Sequence, residues 1–128
     1  MAADSDKTIV FVCEHGALRC RIAAAYFNEA APEGWNADTA GVDPQAEVSQ
    51  RLRPLMADTE AANFVDLSPP KQLGATPADR TVAIDVDVGG AEGWVTGDPE
   101  QLSDADLRDR IRDKVAALVR DLGKESAL

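Results

Sequence analysis

An α/β fold is predicted for these 128 residues: a single-domain, three-layer arrangement in which a four-stranded, mainly parallel sheet carries helices on both faces. Three observations lead there. The apolar run Thr8 to Val12 is followed at once by a glycine-containing turn and a helical pattern; strand-like and helix-like spacings alternate along the chain; and no internal repeat or low-complexity segment breaks the alternation. The length is enough for one domain with a buried core.

The elements follow in order. Met1 to Lys7 is polar and is expected to be a flexible N-terminus, so the fold begins with a strand at Thr8. After the turn, Ile22, Ala23, Tyr26, Phe27 and Ala30 share one helical face, and Pro32 with Gly34 stops that helix. Asn36 to Val42 reads as a second strand leading into Asp43-Pro44. From Gln45, the residues Val48, Leu52, Leu55 and Met56 keep helical spacing, with Pro54 expected to end or kink the helix near Leu52. Asn63 to Ala78 is rich in proline and reads as a loop region. Thr81 to Val88 alternates and is rich in branched residues, a third strand ending at Gly89-Gly90, and Glu92 to Thr96 is a short fourth strand around Trp94. Ser103 to Asp106 is a capping-box variant opening a helix whose Leu107, Ile111, Val115, Leu118, Val119 and Leu122 share a face, closed by Gly123. The domain is thus expected over residues 8–123, with residues 124–128 a C-terminal tail.

Composition narrows the function classes. A formal net charge of −10 disfavours nucleic acid or an anionic membrane as partner and would repel acidic phosphoproteins. No charged leader with an apolar core opens the chain, and no apolar run approaches membrane-spanning length, so a cytoplasmic location without a membrane partner is expected. Two cysteines without a disulfide-rich pattern fit a reducing compartment, where a thiol serves chemistry more often than structure. No metal site is expected, and a monomer is the default.

The chemistry concentrates in Cys13-Glu14-His15-Gly16-Ala17-Leu18-Arg19. A turn between a strand and a helix points backbone N–H groups and the positive helix end at one spot, which suits an oxyanion. The same field favours thiolate at Cys13, and Arg19 at the helix start can fork onto two oxygens of a bound group. Gly16 lets the loop turn inward where a side chain would clash. Glu14, His15, Gly16, Ala17, Leu18 and Arg19 are therefore the candidate oxyanion-binding residues, with a small oxyanion or a phosphomonoester as the expected partner. The plainer alternative for Cys13 is a small buried hydrophobe. His15, the single histidine, is expected to pack or hydrogen-bond in the loop rather than act as a base, and Trp94 to belong to the core.

The spacing Cys-x5-Arg directly after a short strand resembles the low-molecular-weight protein tyrosine phosphatases and the thioredoxin-coupled arsenate reductases, which share a fold. Ala40-Gly41, Asp66-Leu67-Ser68 with Pro70-Lys71, Trp94, and Asp98-Pro99 ahead of the last helix look like later landmarks of that family, so the resemblance spans Thr8 to Leu122. It implies strand order 2-1-3-4, Cys13 as nucleophile, Arg19 as oxyanion clamp and Asp98 as general acid and base. From the residues alone, Asp98 reads equally as a turn or helix-capping residue.

Four departures from the family pattern bear on the reaction. The usual Gly and Asn at the second and third places after the cysteine are here His15 and Gly16. The hydroxyl residue that follows the arginine is Cys20, a weaker hydrogen-bond donor, which implies a less activated Cys13. Family geometry brings Cys20 close to the nucleophile's sulfur, so a Cys13–Cys20 disulfide is one reading and an inert serine replacement the other. Glu100 and Gln101 stand where tyrosine phosphatases place aromatic residues, and Asp85 to Gly93 lacks the two further cysteines of thioredoxin-coupled reductases. The expected function is a cysteine-dependent phosphatase working through a phosphocysteine, with no resident cofactor. The alternatives are an arsenate reductase in which an external small thiol (mycothiol or glutathione) or Cys20 takes the oxidising equivalent, and a non-catalytic oxyanion-binding or redox-sensing module.

Overall fold

In the computed structural model, which describes residues 7–75, 77–96 and 102–126, the chain runs β1 (Lys7–Cys13), α1 (Arg19–Ala30), β2 (Trp35–Gly41), α2 (Leu52–Met56), a 3-10 turn (Ala62–Phe64), β3 (Arg80–Ile84), β4 (Glu92–Trp94) and α3 (Asp104–Ser126). The four strands form one sheet, every pairing parallel, in the order β2-β1-β3-β4. That is the order 2-1-3-4 implied by the Cys-x5-Arg resemblance. β1 is central, and its consecutive Ile9, Val10, Phe11 and Val12 are buried because both faces of the strand are covered.

The face bearing Ile9, Phe11, Val82 and Ile84 is packed by all three helices. Phe11 anchors it, meeting Phe27 edge-on at 6.0 Å between ring centroids and Trp94 at 5.7 Å. On the opposite face Val10, Val12 and Ala40 lie under Leu73, Val86 and Val88. Among the described residues this third layer is built of connecting segments, not of the helices expected there. The β3–β4 connection, residues 85–91, is too short for a crossover helix and folds back as loop.

Three expected boundaries move. Residues 45–51 are turns and bends, and α2 begins only at Leu52, which puts Pro54 in its first turn. The missing N–H costs nothing there, so this proline opens a helix instead of ending one. β3 stops at Ile84, because Asp85 enters the left-handed region at φ 55 and turns the chain out of the sheet. Gly123 does not close α3, which continues to Ser126: one glycine near a helix end costs only about 1 kcal/mol and does not by itself stop a helix. The start of α3 is as expected, with the Asp106 N–H donating to Ser103 Oγ at 3.1 Å.

Candidate active site

The sheet brings Cys13 to the carboxyl end of its central strand, where ligands of parallel sheets bind. Residues 14–18 link it to α1. That helix starts with Leu18 as N-cap, no capping side chain and no acidic residue in its first turn, so its free N–H groups and positive end face the loop unneutralised.

Where the loop's carbonyls go decides where its amides point, since the two are antiparallel in each planar peptide. The chain leaving β2 runs alongside the loop and takes four of them: Val42 N–H donates to Cys13 O at 3.1 Å, Asp43 to Glu14 at 2.7 Å, Gln45 to His15 at 3.2 Å and Ser49 to Ala17 at 3.0 Å. Ile22 N–H takes Leu18 O at 3.0 Å, and Arg21 Nε takes Gly16 O at 2.9 Å. Every carbonyl from 13 to 18 is therefore held, and the amides are left for the sulfur and for an anion.

Two glycines allow this approach. A Cβ on Gly16 would lie 3.0 Å from Gly41 N, and one on Gly41 only 2.6 Å from Gly16 N. Gly16 also takes φ 66, the left-handed region that Gly and Asn tolerate. It stands at the family's Asn position, so the departure from the usual pattern preserves the turn. His15, in the place of the usual Gly, needs no positive φ. Its Nδ1–H donates to Asp43 O at 3.0 Å, the hydrogen-bonding part expected of it.

Cys13 is 4% exposed, and its Sγ lies 3.2 Å from that of Cys20; both are free thiols. The thiol pKa is lowered to about 6 by the hydrogen bond from Cys20, which outweighs burial, with further help from the amides of Cys20, Leu18 and Gly16. Burial, then the neighbouring Cys13, pushes Cys20 well up, so Cys20 keeps its proton and donates it. Cys20, though a weaker donor than a hydroxyl, is thus the largest influence lowering Cys13.

Cys13, Ala17, Leu18 and Arg19 share a cavity of about 170 Å³ with Gln45, Ser49 and Arg51, room for a tetrahedral oxyanion. The cavity adjoins a groove of about 810 Å³ bounded by Asp85, Asp87, Trp94 and Val95, with Glu14, His15 and Arg19 common to both. Trp94 therefore serves the core through Phe11 and the groove wall together. Arg19 Nε sits 3.1 Å from Asp85 Oδ2 in an ion pair that is not aligned as a hydrogen bond. Asp85 also accepts the Thr96 N–H at 2.8 Å and the Thr96 hydroxyl. Asp98, Glu100 and Gln101 lie outside the described residues.

Sequence reasoning missed Asp85, Arg21, Gln45, Ser49 and Arg51. Asp85 was hidden within a run that reads as one strand. The others lie around the anion loop only because β2 and α1 flank it in space. Among the described residues no group of His, Cys, Asp and Glu is arranged to hold a metal ion, and no helix is long and apolar enough to cross a membrane.

No protein-family model and no curated protein sequence matches the chain. Solved structures do. An arsenate reductase from Archaeoglobus fulgidus matches with a TM-score of 0.70 at 22% identity, over 87% of this chain and 98% of that one. A low-molecular-weight phosphotyrosine phosphatase from Vibrio cholerae matches with a TM-score of 0.69 at 12% identity, over 95% and 99%. The fold is theirs. A thioredoxin-dependent arsenate reductase from Corynebacterium glutamicum shares it with a TM-score of 0.72 at 19% identity, over 97% of this chain but 65% of its own length. Reductases and phosphatases thus appear side by side, on the fold that the Cys-x5-Arg resemblance implied.

Proposed function

We propose that this chain is a cysteine-dependent phosphatase of the low-molecular-weight protein tyrosine phosphatase type. The observation that supports it is the Cys13 thiol, lowered to about 6 and set in a loop whose carbonyls are all held elsewhere. The Cys13 thiolate attacks phosphorus in line, a S–P bond forms, and the ester P–O bond breaks. Loop amides and Arg19 hold the equatorial oxygens as charge spreads over them. The leaving oxygen takes a proton from Asp98, a role carried over from the family's Asp-Pro. The same carboxylate then takes a proton from the water that hydrolyses the phosphocysteine. The substrate is a small phosphomonoester, the enzyme a cytoplasmic monomer without a resident cofactor.

A second reading is favoured by one contact. Cys20 Sγ, 3.2 Å from Cys13 Sγ, is placed to resolve a Cys13–arsenate adduct. Attack of Cys20 on Cys13 sulfur forms a disulfide, the S–As pair of electrons stays with arsenic, and arsenite leaves. Two molecules of a small thiol such as mycothiol or glutathione then reduce the disulfide by exchange, restoring both cysteines and leaving as their own disulfide.

Parallel assays separate the readings: p-nitrophenyl phosphate hydrolysis, and arsenite release with different thiol donors. Hydrolysis lost in Cys13→Ser and retained in Cys20→Ser is the result expected of a phosphatase. Arsenite release that needs Cys20 points to the reductase, and oxyanion binding without turnover in either assay points to a sensor. Activity that survives Cys13→Ser refutes the nucleophile.

A further inference from the structure

Five of the six loop carbonyls are held by backbone N–H groups, which any residue supplies, whereas the sixth, on Gly16, depends on one side chain. That side chain is Arg21, in the first turn of α1, and it was not among the residues the Cys-x5-Arg spacing draws attention to. We infer that Arg21 is the positioning residue of the oxyanion loop, acting through the Gly16–Ala17 peptide to aim the Ala17 N–H at the bound anion. The role rests on the reading of the loop as an oxyanion site and holds equally for phosphate and arsenate.

The geometry supports it in three ways. First, the Arg21 side chain is wholly buried, with Nε on Gly16 O at 2.9 Å and Nη1 on Asp66 O at 2.7 Å. A planar guanidinium held at two points leaves the Gly16 carbonyl one position, and peptide planarity passes that to the Ala17 N–H. Second, Gly16 is at φ 66, where glycine has the widest choice of backbone angles, so this peptide more than its neighbours needs an external hold. Ala17 lines the cavity beside Cys13.

Third, the charge is poorly compensated where it lies. The nearest carboxylate, on Asp66, is half exposed with Oδ1 3.8 Å from Nη1, and Nη2 is buried without a hydrogen-bond partner among the described residues. A buried cation in that condition costs stability. It is better matched when a dianion occupies the loop on the other side of the peptide it holds.

The test uses inorganic phosphate as probe, with calorimetric binding and protection of Cys13 from iodoacetamide as readouts. Arg21→Met fills the same buried space without charge and is expected to keep a cooperative melt. Its phosphate dissociation constant is expected to rise roughly tenfold or more, the loss of a charge-assisted hold on one donor. The midpoint of Cys13 alkylation against pH should also move upward from about 6. Arg21→Lys keeps charge and length but not the fork, and is expected to weaken phosphate binding at an unchanged melting temperature. It decides the matter if the Met variant fails to fold. Wild-type phosphate affinity and an unshifted midpoint in either folded variant would overturn the role. Failure of the unmutated protein to bind phosphate would instead remove the anion site, and this role with it.

Discussion

Replacing Cys20 by alanine removes the S–H that donates to Cys13 across 3.2 Å, the largest of the influences that bring Cys13 to about 6. A hydrogen bond to a charged acceptor contributes about 1.5–3 kcal/mol. One pKa unit corresponds to about 1.4 kcal/mol, so its loss should raise Cys13 by roughly one to two units. At pH 7 the thiolate fraction then falls from about nine-tenths to between about one half and one tenth. The assay is the rate of iodoacetamide alkylation of Cys13 between pH 5 and 9, followed by mass spectrometry. In the variant Cys13 is the single thiol, and in the parent protein Cys20 is buried and protonated, so the reading is clean. Cys20→Ser, with a stronger donor, should keep the midpoint at or below that of the parent. A midpoint still at about 6 in Cys20→Ala would refute the reasoning, because the loop amides alone would then hold the thiolate.

Cys13 should also make stability depend on pH. Its folded-state value of about 6 lies below the unfolded 9, so the stabilisation is full above pH 9 and fades as pH falls through 6. The difference in urea stability between the parent and Cys13→Ser should therefore grow from pH 6 towards 9 by a few kcal/mol at most, and a flat difference would contradict it. Asp85→Ala loses the Thr96 bonds and the Arg19 ion pair and leaves alanine at φ 55. Denaturant unfolding should show a cost of about 2–4 kcal/mol, and Asp85→Asn, which tolerates that backbone, should recover part of it. Gly41→Ala drives a Cβ to 2.6 Å from Gly16 N, against 3.0 Å from Gly41 N for Gly16→Ala. Phosphate protection of Cys13 should be impaired in both. Gly16→Ala, which also carries the strain of a positive φ, costs about 1–2 kcal/mol from that backbone angle alone.

The sheet and the anion loop were legible because their signals are local. Thr8 to Val12 is apolar and branched, the loop follows within six residues, and Cys13, Gly16 and Arg19 each have a chemical reason to stand there. What escaped depends on neighbours distant in sequence. Ser49 and Gln45 matter because their amides meet Ala17 and His15 between two connections that run side by side beyond the ends of β1 and β2, and a helical spacing of apolar residues masked that segment as part of α2. Asp85 ends a strand by its backbone angle, while the branched residues around it read straight through. Donor strength could be read from the identity of Cys20, but its 3.2 Å contact with the Cys13 sulfur, deep beneath the loop, shows how large a share of the lowering comes through this one side chain.

The stitching of the loop to the chain beyond β2 separates two kinds of information. Five of its carbonyls are fastened through peptide groups, so the cradle tolerates wide change in the side chains it displays. Glu14 and His15 project outward to solvent at the rim shared by cavity and groove. A lineage carrying this scaffold can therefore rewrite those two positions, and with them which molecules are welcomed at the entrance, while the chemistry at the bottom stays intact.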